Sequence, residues 1–165
     1  MTRKISYERV HSATKTVTFE SAPSSAFVDR QSAAGFLRDR RGRILVVATY
    51  NRGLFEVPGG LIDPGEDDRT TVAREFEEEV GLVVKAGEFV TSGVSYFSWD
   101  DSRPYRCFRR YYEVERLGGR LKSNGDGHDT LGAQWLRPDQ LNAGNTLDFI
   151  LKVLPAYRRF LRRRP

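Results

Sequence analysis

Residues 59–82 read GGLIDPGEDDRTTVAREFEEEVGL, and this segment contains the strongest structural signal in the chain. Apolar residues recur within it at every fourth position, at Val72, Phe76 and Val80. That spacing predicts an amphipathic helix from about Asp67 to Val80. Gly81 follows directly, and glycine is the residue favoured just past the end of a helix. The segment therefore predicts one helix that follows a Pro-Gly-Gly turn and ends at Gly81.

The same helix has a concentration of acidic side chains. Glu75, Glu78 and Glu79 stand at positions i, i+3 and i+4, so they share a face beside the apolar stripe. Like charges at these spacings destabilise a helix by about 0.2–0.5 kcal/mol per pair, and the helix dipole disfavours anions in the last turns. A solvated acidic face is the simple alternative, but local preferences are most often violated at functional sites. Because Mg²⁺ takes oxygen ligands from clustered carboxylates, the pattern predicts a metal site.

The segments around this helix are strand-like. Residues 32–39 (SAAGFLRD) and 43–50 (RILVVATY) are two β-rich runs joined by a turn at Arg41-Gly42, which predicts a β-hairpin. Further strands are predicted over residues 82–99, 105–117 and 132–136. Residues 145–161 predict a final helix, which Pro155 would bend or interrupt and which Asn145 or Thr146 would cap. Mixed strands with two helices indicate an α/β sandwich.

The segment quoted above also resembles the Nudix box at every defined position of that motif. The matching residues are Gly60, Glu66, Arg74, Glu75, Phe76, Glu78, Glu79, Gly81 and Leu82. The flanks agree, since FEVPGG (55–60) is similar to the family's approach to the box and WLRPDQL (135–141) is similar to its late strand and turn. The resemblance implies an α/β fold, a Nudix-like α/β/α sandwich with a mixed β-sheet. It also implies an enzyme that hydrolyses a phosphoanhydride bond in a nucleoside diphosphate linked to another moiety, using Mg²⁺ or Mn²⁺.

The resemblance implies a role for individual residues. The family's principal metal ligands are matched by Glu75, Glu78 and Glu79. Gly59 matches a position whose backbone carbonyl often joins the metal, and Glu66 matches one that organises the loop and the metal's waters. Arg74 matches the arginine that pairs with box carboxylates and fixes their orientation. We interpret Gly60 and Gly81 as glycines required by backbone conformation.

The general base varies across this family. It is either a box glutamate, here Glu78 or Glu79, or an acidic residue in the loop before the late strand. That loop reads SNGDGHDTLGAQW (123–135) and lacks the glutamate common in the family. Asp126, His128 and Asp129 are the available side chains, and Asp129 is our preferred candidate within the loop.

Substrate recognition has a weaker signal. Tyr96 and Phe97 end a strand, and Arg103 and Arg106 follow it. Aromatic faces stack on nucleobases, and arginine side chains bind phosphates through paired hydrogen bonds. The alternative is that the aromatic side chains belong to the core, which is their commonest location.

Composition indicates the setting in which the protein works. The formal net charge of +5 favours anionic partners without naming one. A single cysteine, Cys107, excludes an internal disulfide and predicts a reducing, cytoplasmic setting. No run approaches the roughly eighteen apolar residues that cross a bilayer, and the N-terminus lacks the apolar middle of a secretory signal. We therefore expect a small-molecule nucleotide substrate and no membrane partner.

The chain length of 165 residues suits one domain. Residues 1–31 are polar and weakly patterned, and we interpret them as an N-terminal arm or an extra strand packed on a Nudix hydrolase domain of residues 32–165. Exchange of that arm across a homodimer is left open.

Three alternatives differ in function. An isomerase with this fold would use a catalytic cysteine, but a lone cysteine inside a strand is usually a core residue and the box is complete. A non-catalytic nucleotide-binding regulatory module usually lacks box carboxylates, whereas all are present here. An RNA 5′-end pyrophosphohydrolase suits the basic charge, although no RNA-recognition motif accompanies it.

Overall fold

A computed structural model describes residues 3–49, 52–122, 124 and 130–163. The strands in these ranges are β1 (Lys4–His11), β2 (Thr16–Pro23), β3 (Val28–Leu37), β4 (Ile44–Thr49), β5 (Phe55–Glu56), β6 (Gly59–Leu61), β7 (Leu82–Trp99), β8 (Tyr105–Gly119) and β9 (Thr130–Leu136). The α-helices are α1 (Asp68–Val80) and α2 (Asp148–Arg162). Short 3₁₀ helices occupy Ser24–Ala26 and Pro138–Gln140. Within the described ranges, neither α-helix is long and apolar enough to cross a membrane.

The strands form two sheets. The larger has the order β2-β1-β7-β8-β3-β6, and the smaller has the order β5-β4-β9. The larger sheet is mixed, because β1 runs parallel to β7 and β3 runs parallel to β8 while its other neighbours are antiparallel. Along β3 the side chains alternate, so Ala33 and Leu37 pack in the core cluster that contains α1, whereas Ala34 and Phe36 pack in the cluster that contains α2. Helices on opposite faces of a mixed sheet confirm the predicted α/β sandwich.

Helix α1 begins and ends where the sequence predicts. Asp67 is its N-cap, and the Asp67 carboxylate accepts a hydrogen bond from the Thr70 backbone N–H at 2.8 Å. Gly81 ends the helix in the left-handed conformation, with φ at 71°. Gly35 of β3 allows close packing, since a Cβ at that position would lie 2.9 Å from the ring of Phe76. The caps and this close contact fix the position of α1 against the larger sheet.

The predicted hairpin is correct at its turn and wrong in its pairing. Gly42 has a φ of 76°, as a tight turn requires. Beyond the turn, β3 and β4 share only the isolated bridge between Arg38 and Ile44. Both strands are buried on both faces, so each lies inside a different sheet, with β3 between β8 and β6 and β4 between β5 and β9. The local turn pattern held no information on these distant partners.

The final helix differs from the prediction at its start and at its proline. Leu147 is the N-cap and no side chain caps the helix, while the predicted cap residues Asn145 and Thr146 bond to each other in the preceding turn. Pro155 lies inside α2 without interrupting it. Its side chain is on the exposed face, and the opposite face buries Ile150, Val153, Leu154 and Tyr157. Burial of this stripe offsets the cost of about 3 kcal/mol that an internal proline imposes.

The N-terminal strands β1 and β2 form an antiparallel hairpin at the edge of the larger sheet. Arg9 anchors it, because its guanidinium donates to the Glu20 carboxylate at 2.6 Å within the hairpin and to the Ser98 hydroxyl at 2.9 Å on β7. The partition at residue 31 lies inside β3, which begins at Val28. The division of the chain into an arm and a domain stays a prediction, as does exchange across a dimer.

Candidate active site

The turn before α1 brings β6 very close to β3. Gly59 pairs with Ala34, and Gly60 pairs with Ala33. A Cβ on Gly59 would lie 2.4 Å from the Ala34 Cβ and 2.5 Å from the Ala33 carbonyl oxygen. Any side chain at residue 59 would therefore push the two strands apart.

Gly60 is required for a different reason from the predicted one. Gly81 has the positive φ that favours glycine, but Gly60 is absent from the positive-φ residues of the described chain. A Cβ on Gly60 would lie 2.1 Å from Glu75 Oε1. The interpretation of Gly60 as a backbone conformer is thus wrong, and its role is to leave space for the Glu75 carboxylate.

Arg74 is the centre of an ion-pair network on the first half of the box. Its Nε donates to Glu66 Oε1 at 2.9 Å, and its Nη1 donates to Glu75 Oε1 at 2.8 Å and to Glu78 Oε2 at 3.0 Å. The hydrogen bonds from Arg74, followed by one from the Thr71 hydroxyl, lower the pKa of the Glu66 carboxyl to about 2. One guanidinium therefore contacts three of the carboxylates that the sequence singles out.

Glu79 is held separately from this network. Its side chain is buried, and its Oε2 accepts a hydrogen bond from the Gly59 N–H at 3.1 Å. The bond joins the C-terminal part of α1 to the turn that precedes the helix. Among the described residues, no group of three or more acidic, histidine or cysteine side chains is placed to hold a metal ion. The structure thus holds Glu75 and Glu78 through Arg74 and holds Glu79 through the Gly59 backbone.

Glu75 and Glu79 open onto one cavity of about 620 Å³, which we call the box cavity. Its charged lining residues are Glu56, Asp63, Arg74, Glu75, Glu79 and Arg109. Four carboxylates therefore face two guanidinium groups in this cavity. Oxygen donors with an excess of negative charge are the ligand set that suits a hard divalent cation.

A second cavity, of about 370 Å³, adjoins the first, and we call it the aromatic cavity. Its aromatic lining residues are Tyr7, Phe19, Tyr96, Phe97, Trp99 and Phe149. The two cavities share lining residues, which are Thr49, Glu56, Phe97, Trp99 and Arg109. Together they make one continuous cleft with an acidic end and an aromatic end.

The residues predicted to bind substrate separate into two groups. Tyr96 and Phe97 line the aromatic cavity, whereas Arg103 and Arg106 line neither cavity. Arg103 is exposed between β7 and β8, and Arg106 makes a two-point ion pair with Asp29 at 2.7 and 2.8 Å. Arg106 is held away from both cavities by this ion pair, since Asp29 is its partner in register on β3.

Arg109, which sequence reasoning did not select, lies where the two cavities meet. Its Nε donates to the Ser95 hydroxyl at 2.8 Å, and its guanidinium lies 4.0 Å from the centre of the Phe149 ring. The signal available in the sequence was its position two residues from Cys107 and two from Tyr111, both of which are buried. An arginine on the apolar side of a strand requires a polar partner, because burying a charge without one is costly.

Two further predictions have different outcomes. Cys107 is fully buried, and its thiol donates to the Ser32 hydroxyl at 3.4 Å, which confirms it as a core residue that lines neither cavity. Asp129, with Asp126 and His128, lies outside the described residues.

Comparison with known proteins places this geometry in a family. The model of the NUDIX domain matches residues 28–159. A MutT-like protein from Streptomyces ambofaciens is 26% identical over 125 residues, which cover 76% of this chain and 75% of that protein. An ADP-ribose pyrophosphatase from Methanocaldococcus jannaschii is 30% identical over 95 residues, which cover 55% of this chain and 54% of that protein.

A solved structure shows the same fold. The solution structure of the E. coli ORF135 protein has a TM-score of 0.66 with 21% identity, and the likeness covers 87% of this chain and 99% of that one. At this identity the likeness shows the fold alone. The match to the family model, by contrast, covers most of the chain and includes every box residue whose contacts are described above. The chain therefore belongs to the NUDIX family, and it is a Nudix hydrolase.

Proposed function

We propose that the protein catalyses divalent-metal-dependent hydrolysis of a phosphoanhydride bond in a nucleoside diphosphate linked to another moiety. The substrate class comprises nucleotides, nucleotide sugars and dinucleotides. The observation that carries the proposal is the excess of carboxylates over guanidinium groups in the box cavity. A diphosphate entering this cavity meets like charge, so it can bind there only together with cations that neutralise both.

The donors fit Mg²⁺ or Mn²⁺. Glu75, Glu78 and Glu79 would hold the ion, and Gly59, which also lines the box cavity, would add its backbone carbonyl. Glu66 would act from outside the ligand set by ordering the loop, through its bonds to Thr71 and Arg74. A bound cation supplies neutralisation of the attacked phosphate and lowers the pKa of water.

Side chains of this protein would supply the general base, orient the carboxylates and bind the phosphate. Glu78 and Glu79 are our candidates for the general base, together with Asp129 outside the described residues. Arg74 is a positioning residue, since its hydrogen bonds orient Glu75 and Glu78. Arg109 at the junction of the cavities would bind a phosphate oxygen, because its guanidinium keeps donors beyond the one used by Ser95.

The predicted binding residues suggest how far a substrate reaches. Tyr96 and Phe97 would contact the part of the substrate that lies beyond the diphosphate. Arg103 and Arg106, which line neither cavity, would contact only a substrate that extends past the cleft. The 5′ end of an RNA is such a substrate, and it is our second candidate.

We place this activity in the cytoplasm. The support is the single cysteine, which is buried as a free thiol. The reaction needs no redox partner, so a reducing compartment is compatible with it.

A phosphate-release screen tests the proposal. The purified protein is assayed with Mg²⁺ and with Mn²⁺ against nucleoside triphosphates, ADP-ribose, NADH, diadenosine polyphosphates, nucleotide sugars and 5′-triphosphate RNA. We expect metal-dependent release from at least one free nucleotide derivative. Release from RNA alone would replace the first candidate by the second. A folded protein that is inactive on every substrate with either metal would refute the proposed activity.

A further inference from the structure

We propose that the aromatic cavity binds the nucleobase of the substrate and that the N-terminal hairpin of β1 and β2 forms one wall of this site. The inference rests on the proposed function, because it assigns the base end of the same substrate. The hairpin occupies residues 4–23 and so precedes the part of the chain, 28–159, that matches the family model. The wall therefore lies outside the segment that the family model matches.

The strand register places the hairpin's side chains in the cavity. Glu8 on β1 pairs with Phe19 on β2 and with Phe97 on β7. Residues that pair across neighbouring strands point to the same face of a sheet, so these three side chains form one row. All three line the aromatic cavity. The pairing itself, and not a flexible side chain, thus brings Phe19 to the cleft.

Three of the eight large apolar side chains that are exposed in the described residues line this cavity. Phe19 is 72% exposed, Trp99 is 41% exposed and Val94 is 40% exposed, and each lines the aromatic cavity. Large apolar side chains that are exposed together commonly mark a binding surface. A flat ring that enters the cavity would cover Phe19 and Trp99 from the solvent.

The charge of the aromatic cavity suits an uncharged ring. Its ionic side chains occur in pairs, since Arg52 contacts Glu8 at 3.0 Å and Lys152 contacts Asp148 at 2.5 Å. Its remaining carboxylate, Glu56, is balanced by one guanidinium, that of Arg109. The box cavity by contrast has two more carboxylates than guanidinium groups. A nucleoside diphosphate has the complementary division, with a neutral base at one end and an anionic diphosphate at the other.

Polar contacts of β1 hold the wall in place. The Arg9 side chain bonds to Glu20, to Ser98 and to the backbone carbonyl of Asp100. Tyr7 donates to the same Glu20 carboxylate at 2.5 Å. These contacts tie the hairpin to β7 and its following turn. The wall is thus fixed before substrate binds, which lowers the entropic cost of binding.

Nucleoside binding tests the inference without metal and without turnover. Adenosine, guanosine, cytidine and uridine are titrated into the full-length protein in EDTA, to millimolar concentration, by calorimetry and by tryptophan fluorescence. We expect at least one nucleoside to bind and Phe19→Ala to weaken it on the order of tenfold. The matched control is Phe89→Ala, because Phe89 is a 51% exposed phenylalanine of β7 that lines neither cavity.

Fluorescence locates the base. The chain has two tryptophans, Trp99 in the cleft and Trp135 against the α1 core, so quenching should persist in Trp135→Phe and disappear in Trp99→Phe. Failure of every nucleoside to bind the wild type, or equal affinity of wild type and folded Phe19→Ala, would overturn the inference. Loss of nucleoside affinity in Phe19→Ala from a protein that hydrolyses nothing would refute the proposed function and leave the base site standing. Hydrolysis by a protein whose nucleoside affinity is the same in the wild type and in Phe19→Ala would support the proposed function and refute the base site.

Discussion

The carboxylate of Glu75 occupies the space where a side chain on Gly60 would begin, with Glu75 Oε1 2.1 Å from the position of that Cβ. Gly60 belongs to β6 and Glu75 to α1, so the two halves of the box meet at this contact. The motif therefore requires glycine at residue 60 on steric grounds, because the Glu75 carboxylate keeps its orientation only if that residue has no side chain.

Gly60→Ala should therefore displace Glu75 from the box cavity. We expect kcat/KM to fall by at least tenfold, since displaced ligands and their supports typically cost that much. The backbone at residue 60 does not need a positive φ, so alanine itself is compatible with the strand. Steady-state kinetics with a substrate from the screen measures the effect. The control is Gly118→Ala, because a Cβ there has nothing within 4 Å, and equal activities of the two variants would contradict the steric argument.

Two of the three box glutamates, Glu78 and Glu79, can be tested by single amide substitutions. Glu78→Gln and Glu79→Gln should each lose most of the activity, because an amide is a poor cation ligand and a poor base. Glu77→Gln is the matched control, since Glu77 is an exposed glutamate of the same helix that is not among the carboxylates contacting Arg74 or Gly59 in the described structure. Circular dichroism should show that all three variants fold. Retained turnover in folded Glu78→Gln and Glu79→Gln would count against the proposed metal site.

Divalent cations should stabilise the folded protein. Metal that binds only the native state raises the melting temperature, and a concentration of 100 times Kd contributes about 2.7 kcal/mol. We expect a higher melting temperature with millimolar Mg²⁺ or Mn²⁺ than with EDTA, and a smaller shift for Glu79→Gln. Differential scanning fluorimetry measures both shifts. An identical shift in the two proteins would place the stabilising ion elsewhere.

Arg74→Lys tests whether one guanidinium is needed to orient several carboxylates. Lysine keeps the charge, but its three N–H donors lie on one nitrogen, so it cannot span Glu66, Glu75 and Glu78 as the guanidinium does. The free energy of unfolding should fall by about 1–3 kcal/mol, and kcat should fall by about ten- to a hundredfold with a smaller change in KM. Arg137→Lys is the control, because the Arg137 side chain is 61% exposed and pairs only locally with Asp139. Full activity of Arg74→Lys would show that the network is not required.

The ion pair of Glu66 predicts a pH dependence of stability. In the folded protein the pKa of Glu66 is lowered from 4.5 to about 2. The unfolded chain therefore binds the proton more readily, and the stabilisation is complete above pH 4.5 and lost as the pH falls toward 2. The difference in melting temperature between wild type and Glu66→Gln should shrink over that interval. Glu77→Gln is the control for the loss of one negative charge. A difference in melting temperature between wild type and Glu66→Gln that stays constant down to pH 2 would refute the lowered pKa of Glu66.

The sequence predicted what depends on neighbouring residues. The start of α1 near Asp67 and its end at Gly81 follow from local preferences, and both were found. The pairing of β3 with β8 was not predictable, because it joins segments far apart in the chain without a periodic signal. Arg109 was missed for the same reason, since only the sheet and α2 show that it faces the cleft. The local sequence thus predicts the residues of the motif and the limits of its helix. It does not predict the lining of the cleft, which depends on strand pairing between distant segments.

The parallel pairings also constrain when the sheet can form during synthesis. β3 has its neighbour β8 at Tyr105–Gly119, and β1 has its neighbour β7 at Leu82–Trp99. A ribosome that has released only the first half of the chain has therefore produced β1 and β3 before their parallel partners β7 and β8 exist. Such contacts between distant segments slow folding and leave strand edges open. The nascent protein acquires its central sheet only after Gly119 has emerged, when α2 is the last helix still to be made.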